Sequence, residues 1–310
     1  MSTTTAGPAG PSNATGLPAA PFLGAKRRPL EAVIKALLII SAMLSIAITF
    51  GIIAALIRPV IDFFGEIPFS TFFSNDQQFG VLPLVVGTLM VTVIALVVAV
   101  PLGLGAAMYL SEYASRRARK VLKPTVELLA GVPSVVYGFF ALTFVTPALL
   151  QGLLNLEIGF TNALAAGLVL GVMIIPTIAS LAEDALSAVP QAMRQGSLAM
   201  GANRMQTTVR VVLPAAISGV AAAIVLGMSR AIGETMIVAL AAGAQKNSSL
   251  DIFEGHQTMT GFMAQTAGGE NPVGSLEYNT LFAVGMLLFL ITLVLNMISI
   301  SIVRRFRQAY

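Results

Sequence analysis

The sequence predicts an all-α integral membrane protein with about six transmembrane helices. Of its 310 residues, 56% are hydrophobic and only 10% are charged, and the mean hydropathy is +0.86. Six apolar runs are long enough to cross a hydrocarbon core of roughly 30 Å as helices. They cover residues 30–57, 81–109, 121–150, 163–181, 211–242 and 280–303. This composition is unusual for a soluble domain and typical of a multi-pass membrane protein.

The N-terminal region divides into an uncharged tail and a first span. Residues 1–25 are rich in Ser, Thr, Ala, Gly and Pro, so we expect a disordered cytoplasmic tail that buries too little apolar surface to fold. A basic cluster at residues 26–28 precedes the first span, and Pro29 suits the first turn of a helix. Residues 26–78 are therefore predicted to form the first transmembrane helix and an outer aromatic loop.

That outer loop carries five phenylalanines between residues 63 and 73. The favoured interpretation is a helix lying at the headgroup boundary, where aromatic side chains accumulate. The alternative is a docking surface for an external partner.

The later spans contain glycine and proline at positions that predict kinks or close helix contacts. Examples are Pro101, Pro133, Pro147 and Pro176. Residues 167–171, Gly-Leu-Val-Leu-Gly, have the small-xxx-small pattern of packed transmembrane helices.

Basic residues indicate the orientation of the spans. Fourteen lysines and arginines flank the spans on the side of the termini, whereas only Arg58 and Lys246 lie in the opposite loops. By the positive-inside rule, both termini are predicted to be cytoplasmic in a multi-pass protein of the cell membrane. Because the basic residues lie at the ends of apolar runs, they do not indicate a nucleic-acid partner.

Several kinds of chemistry are excluded by residue type. The chain has no cysteine and one histidine, His256, so we expect no metal site and no thiol catalysis. No nucleophile and base are recognisable as a pair. None of the five lysines lies in a Gly-x-x-x-x-Gly-Lys-Ser/Thr nucleotide-binding motif. The chain is therefore predicted to be no enzyme by itself and to hold no cofactor.

Two charged residues, Arg230 and Glu234, interrupt the apolar run 217–240. A charged side chain at the bilayer centre costs roughly 2.5 to 3.5 kcal/mol, so such residues usually mark a transport pathway. Their i to i+4 spacing predicts that both lie on one helix face. The alternative is that the pair only joins two helices. Ser134 and Tyr137 in the third span are minor pathway candidates, as is Glu127, whose expected place near the N-terminus of that span also favours a carboxylate.

Between the fourth and fifth spans, residues 183–214 form a less apolar cytoplasmic loop with small residues around Gly201. The loop resembles the EAA signature of binding-protein-dependent ABC importer permeases, with glutamine, glycine and serine in place of Glu-Ala-Ala. The matching positions are Gln195, Gly196, Ser197, Gly201, Ala202, Val211, Leu213 and Pro214. The resemblance implies a coupling helix that sits in a groove of a separate ATPase subunit, where ATP and Mg²⁺ would bind.

Two further stretches are similar to the third and fifth spans of phosphate-specific importer permeases. They are residues 127–140, Glu-Leu-Leu-Ala-Gly-Val-Pro-Ser-Val-Val-Tyr-Gly-Phe-Phe, and residues 230–238, Arg-Ala-Ile-Gly-Glu-Thr-Met-Ile-Val. Methionine after Glu-Thr resembles the PstC type rather than the PstA type. The resemblance covers residues 79–307 and implies a MetI-like permease core.

The resemblance also implies a function and partners. The chain would be one permease subunit of an ATP-driven phosphate importer, paired with a PstA-like permease, two PstB-like ATPases and an external phosphate-binding protein. Arginine suits an oxyanion because its planar fork donates paired hydrogen bonds. An ionised Glu234 would accept a hydrogen bond from protonated phosphate but not from sulfate, which has no proton to donate.

Two alternatives stay open at this point. One is a permease of the same architecture for another oxyanion, such as sulfate or molybdate. The other is an ion-coupled carrier or channel, although the two halves of the chain show no detectable internal repeat.

Overall fold

The computed structural model describes residues 29–306, without the side chains of residues 29, 31 and 302–306. The predicted tail, the basic cluster 26–28 and the last four residues lie outside this range. The helices are α1 (Pro29–Glu66), α2 (Phe69–Phe72), α3 (Leu82–Met108), α4 (Arg116–Ala130), α5 (Ser134–Phe140), α6 (Ala163–Ser187), α7 (Gln191–Ala199), α8 (Arg204–Thr207), α9 (Leu213–Ala215), α10 (Ile217–Ile232), α11 (Met236–Ala241), α12 (Met259–Gly268) and α13 (Leu276–Phe306). Three π-helical segments extend α3, α5 and α8, at Tyr109–Tyr113, Ala141–Leu153 and Thr208–Val212.

The number of spans agrees with the prediction. Five helices of the described chain are long and apolar enough to cross a membrane. A sixth span results if the segment Arg204–Ala215 is counted together with α10, to which it is bent by 74°. The all-α fold with about six membrane helices is thereby confirmed.

The chain divides into two compact units, Met1–Ala54 and Ala55–Tyr310, with the boundary inside α1. In the first unit none of the described side chains is buried, and apolar ones such as Leu38 and Phe50 are about two-thirds exposed, at 66% and 67%. An apolar helix surface of this kind suits a lipid environment. The second unit contains the remaining helices and all candidate site residues.

The aromatic segment 63–73 has two phenylalanine rings inside the protein core. Phe63 and Phe72 are fully buried and meet edge to face, with ring centroids 5.7 Å apart. They belong to a cluster with residues of α3, α12 and α13. These two rings therefore form part of the protein core, whereas Phe69 and Phe73 are exposed at 63% and 48%. The place of the segment at the headgroup boundary stays a prediction.

The centre of the second unit is the contact between α3 and α6, and glycines make it close. A Cβ atom on Gly167 would lie 2.6 Å from Ile94 Cβ, and one on Gly171 would lie 2.9 Å from the carbonyl oxygen of Ala95. The small-xxx-small prediction for residues 167–171 is confirmed. Absence of both side chains lets the two backbones approach.

Two predicted spans are not continuous helices. The run 121–150 is broken at residues 131–133, so that α4 ends at Ala130 and the spanning segment is Ser134–Leu153. The run 211–242 is broken at residues 233–235, between α10 and α11. In the first break Pro133 removes a backbone donor, whereas the second contains no proline and depends on contacts described below.

Candidate functional site

The break between α10 and α11 separates the two charged residues. Arg230 lies in the last turn of α10, and Glu234 lies outside both helices, after Gly233. The prediction that they share one helix face at i to i+4 is therefore wrong. No ion pair joins them among residues 29–306.

Each charge instead complements the end of its own half-helix. Arg230 lies at the C-terminal end of α10, where the backbone carbonyls carry partial negative charge. The Glu234 carboxylate accepts a hydrogen bond from the Met236 backbone N–H at 3.2 Å, at the N-terminal end of α11. The two charged residues are therefore each stabilised by the end of a half-helix and not by each other.

Neighbouring helices stabilise the broken backbone. The Thr260 hydroxyl of α12 donates to the carbonyl oxygen of Glu234 at 2.6 Å, which satisfies a group released by the break. The Ser229 hydroxyl donates to Asn296 Oδ1 of α13 at 2.8 Å. Gly138 of α5 allows close approach, since a Cβ there would lie 3.2 Å from the Met236 carbonyl oxygen.

The break leaves functional groups accessible. Arg230 is exposed, and its guanidinium makes no hydrogen bond to any described residue. Glu234 is half-buried. A guanidinium with all five N–H donors available can bind two oxygens of a tetrahedral anion at once.

The three minor pathway candidates lie near the other break. The Tyr137 hydroxyl donates to the Leu129 carbonyl oxygen at 2.9 Å, which ties α5 to the end of α4. Ser134 is half-buried at the first position of α5. Glu127 is exposed in the last turn of α4, so its expected place near a helix N-terminus is wrong. Of these three residues, only Glu127 and Ser134 have side-chain polar groups that no described residue engages.

The predicted coupling loop contains the expected short helix. α7 begins after Pro190, and both Gln195 and Gly196 lie exposed on it. Gly201 follows with a φ of +87°, a conformation that side-chain-bearing residues rarely adopt, so glycine is required by the turn itself. The Ser197 hydroxyl lies 3.0 Å from that of Thr207, which braces α7 against α8.

The remaining signature residues follow α8. Val211 and Leu213 are half-buried, Ala202 is half-buried beside Gly201, and Pro214 is exposed. Large apolar side chains are exposed around the turn, with Met200 at 88% and Met205 at 65%. A short helix flanked by exposed methionines is suited to contact with another protein surface.

Comparison with known proteins decides the family. Residues 99–310 match the family described as "Binding-protein-dependent transport system inner membrane component". The chain belongs to this family. Its members are permease subunits of ABC importers, so the prediction that the chain is no enzyme by itself is confirmed, and membership implies ATPase and substrate-binding partners.

Named relatives of this permease come from several bacteria. It is 39% identical over 231 residues to the "Probable ABC transporter permease protein YqgH" of Bacillus subtilis, covering 74% of this chain and 72% of that protein. It is 35% identical over 246 residues to the "Phosphate transport system permease protein PstC 1" of Mycobacterium tuberculosis, covering 73% of each. The permease also has the fold of the inward-facing MetNI methionine ABC transporter, with a TM-score of 0.55, 21% identity and coverage of 74% of this chain and 95% of that one. The MetI-like architecture is confirmed.

The permease also holds a buried ion pair that sequence reasoning missed. Arg194 of α7 is 8% exposed and donates to Glu112 Oε1 from Nε at 3.1 Å and from Nη2 at 2.9 Å. It also donates to the carbonyl oxygens of Leu186 and Val189, at the end of α6. One side chain therefore joins α7 to the ends of α3 and α6.

A second missed cluster joins α4 to α6. Glu183 is fully buried and accepts hydrogen bonds from Arg119, from Lys123 Nζ at 2.6 Å and from Ser187 Oγ at 3.0 Å. Lys123 also contacts Asp184 at 3.0 Å. The hydrogen bond to Glu183 raises the pKa of Lys123 above its usual value. The sequence does contain a feature from which this cluster could have been predicted. It is the occurrence of a basic run, 116–123, and an acidic pair, 183–184, on the same, cytoplasmic side of the predicted spans.

Proposed function

We propose that this chain is the PstC-type permease subunit of an ATP-driven phosphate importer. The observation that carries the proposal is the exposed Arg230 at a helix break, with Glu234 beside it. Relatives named as phosphate transport permeases, at about a third identity over most of the chain, support the choice of substrate. Because the chain is a family member, a stand-alone ion-coupled carrier is disfavoured.

The geometry supports a modified form of the anion site. Arg230 binds two phosphate oxygens through its paired donors. It keeps its charge even when the partner permease closes the other side of the pathway and desolvates the site. One Glu234 oxygen holds the N-terminus of α11, and the remaining lone pairs accept the hydrogen of protonated phosphate. The two residues therefore bind one phosphate from separate half-helices. They do not form an ion pair that phosphate would have to break.

The proposed importer contains three further kinds of subunit. A PstA-like permease lines the other side of the pathway, an external phosphate-binding protein delivers the substrate, and two PstB-like ATPases hold ATP and Mg²⁺. The exposed turn around Gly201 and α7 form the contact with an ATPase, which fits a cytoplasmic location of this loop and of both termini. Closure of the ATPases then moves α7, and Arg194 and Glu112 transmit the movement to α3.

Removal of the guanidinium tests the pathway role. In Arg230→Ala we expect phosphate uptake to fall at least about 30-fold, since truncating one partner of a desolvated charged contact costs 2 kcal/mol or more. Arg230→Lys should retain part of the activity because it keeps the charge but loses the fork. Uptake of labelled phosphate at matched expression measures this, with Arg58→Ala as the exposed arginine control. Undiminished uptake in Arg230→Ala would exclude the role.

Neutralisation of the carboxylate tests selectivity. In Glu234→Gln we expect sulfate to become a competitor of phosphate uptake, because the amide can donate to an oxygen that the carboxylate repels. Competition by unlabelled sulfate is compared between the variant and the wild type. If the variant still excludes sulfate as well as the wild type does, Glu234 does not select the substrate. If sulfate or molybdate outcompetes phosphate in the wild type, the importer carries another oxyanion.

A further inference from the structure

A polar pocket of about 670 Å³ lies at the opposite end of the second unit from the coupling loop. Its walls are the segment before α3, the loop after α11, one face of α12 and the start of α13. Ten of its thirteen lining residues have side chains that can form hydrogen bonds. These side chains can donate and accept hydrogen bonds, so the pocket suits a polar ligand rather than an apolar one.

Lys246 is the one cation among the lining residues. Its ammonium donates to the Gln78 carbonyl oxygen at 2.8 Å and lies 5.2 Å from the centre of the Phe262 ring. An ammonium has three N–H donors, and among the described residues only that carbonyl accepts one. Burial lowers the pKa of Lys246, and the more distant Asp76 carboxylate offsets this only in part. The charge therefore lacks a close carboxylate partner within the described chain.

Nearby carboxylates do not occupy the ammonium. Asp76 accepts from the backbone N–H groups of Gln78 and Phe79 at 2.9 and 2.7 Å, so it organises its own turn. Glu277, also in the lining, accepts from the Gln78 side-chain amide at 3.4 Å. Gln78 thus contacts Lys246 with its backbone and Glu277 with its side chain, and both charged groups face one cavity.

The loop that carries Lys246 is held rigidly. His256 is fully buried, and its ring nitrogens lie 3.2 and 2.8 Å from the carbonyl oxygens of Asn247 and Asp251. Gly243, at the start of the loop, has a φ of +111° and closely approaches Gly255. A side chain on a fixed loop loses less entropy when it binds a ligand.

We propose that this pocket is an entry site for a protonated inorganic oxyanion. Lys246 and the amide groups of Gln245, Gln265 and Asn271 donate to its oxygens, and Glu277 accepts its hydroxyl hydrogen. The site lies ahead of Arg230 on the inward route, since α12 lines the pocket and also contacts Glu234 through Thr260. This inference rests on the proposed phosphate import and adds a second, outer contact for the same substrate.

Chemical modification of Lys246 tests binding directly. In the purified transporter without its binding protein, an amine-acylating reagent is applied with and without inorganic phosphate, and modification of each lysine is measured by mass spectrometry. We expect phosphate to slow acylation of Lys246 and not of Lys120, an exposed lysine on α4. Sulfate at the same concentration should protect less because it has no hydrogen for Glu277. Equal rates with and without phosphate would overturn the site, and equal protection by sulfate would overturn the role of Glu277.

Uptake by variants separates this site from the proposed function. In Lys246→Met we expect the phosphate concentration for half-maximal uptake to rise about tenfold, because one charge-assisted hydrogen bond to phosphate is lost. The maximal rate of uptake should be retained. Lys246→Arg should remain close to the wild type. Arg230→Ala should lower uptake at least about 30-fold yet keep phosphate protection of Lys246. If uptake depends on Arg230 but phosphate does not protect Lys246 from acylation, only the entry site is contradicted. If phosphate protects Lys246 but the wild type takes up no phosphate, the proposed function is contradicted.

Discussion

Arg194→Met is expected to destabilise the permease by about 3 kcal/mol, because it leaves the Glu112 carboxylate largely buried without its cation. The substitution also removes the donors that satisfy the carbonyl oxygens of Leu186 and Val189. Since the same side chain joins α7 to α3 and α6, we further expect ATP hydrolysis to continue while phosphate uptake falls. The denaturation midpoint and the ratio of phosphate transported to ATP hydrolysed measure the two effects.

Two variants of the same region serve as controls for Arg194. Arg117 on α4 is exposed, and its side chain makes no hydrogen bond to another described residue, so Arg117→Met should leave both readouts near the wild-type values. Glu112→Gln keeps an acceptor for Arg194 and should cost only about 1 kcal/mol. If Arg194→Met has the same midpoint and the same transport ratio as Arg117→Met, the ion pair neither stabilises the fold nor couples the helices.

Gly171→Val is expected to prevent close packing of α3 against α6 and to lower the yield of folded permease sharply. The first added atom would lie 2.9 Å from the Ala95 carbonyl oxygen and 3.0 Å from Val98 Cβ. Because the nearest obstacle is a backbone atom, the clash can be removed only if the two helices separate. The loss of stability should reach the upper end of the usual range of about 1–3 kcal/mol for overpacking. Size-exclusion profiles and denaturation midpoints of the purified protein report the effect.

Gly105→Val is the matched control for the packing prediction. Gly105 lies in α3, within the same helix pair, but a Cβ there meets no atom within 4 Å. Both substitutions place the same β-branched residue in a membrane helix, so a shared effect would reflect helix propensity and a difference would reflect packing. Equal profiles for the two variants would contradict the close contact at Gly171.

Much of the fold follows from patterns that depend on few residues at a time. Long apolar runs predict spans whatever their partners are, since every backbone group in lipid must be paired within a helix. The short helix carrying Gln195 and the close packing at Gly167 were likewise recognisable from local sequence. The family signature in the coupling loop led to the architecture that the comparisons confirm.

Other features depend on residues distant in sequence and could not be read from a local pattern. The buried rings of Phe63 and Phe72 looked interfacial because exposure is a property of the packed structure. The pairs Arg194–Glu112 and Lys123–Glu183 join residues that are 82 and 60 positions apart. Candidate partners of opposite charge were visible, but which ones meet depends on how the helices pack.

For the proposed anion site, the sequence by itself determined the chemistry: one arginine and one carboxylate within an apolar stretch, in a membrane protein without a nucleotide-binding motif. Only the tertiary structure decided where the two side chains lie relative to each other. A continuous helix would place Arg230 and Glu234 one turn apart, but the Thr260 hydroxyl binds the Glu234 carbonyl oxygen and Gly138 lets α5 reach Met236. These contacts stabilise a break, and the opposite partial charges at its two helix ends then hold the arginine on one side and the glutamate on the other.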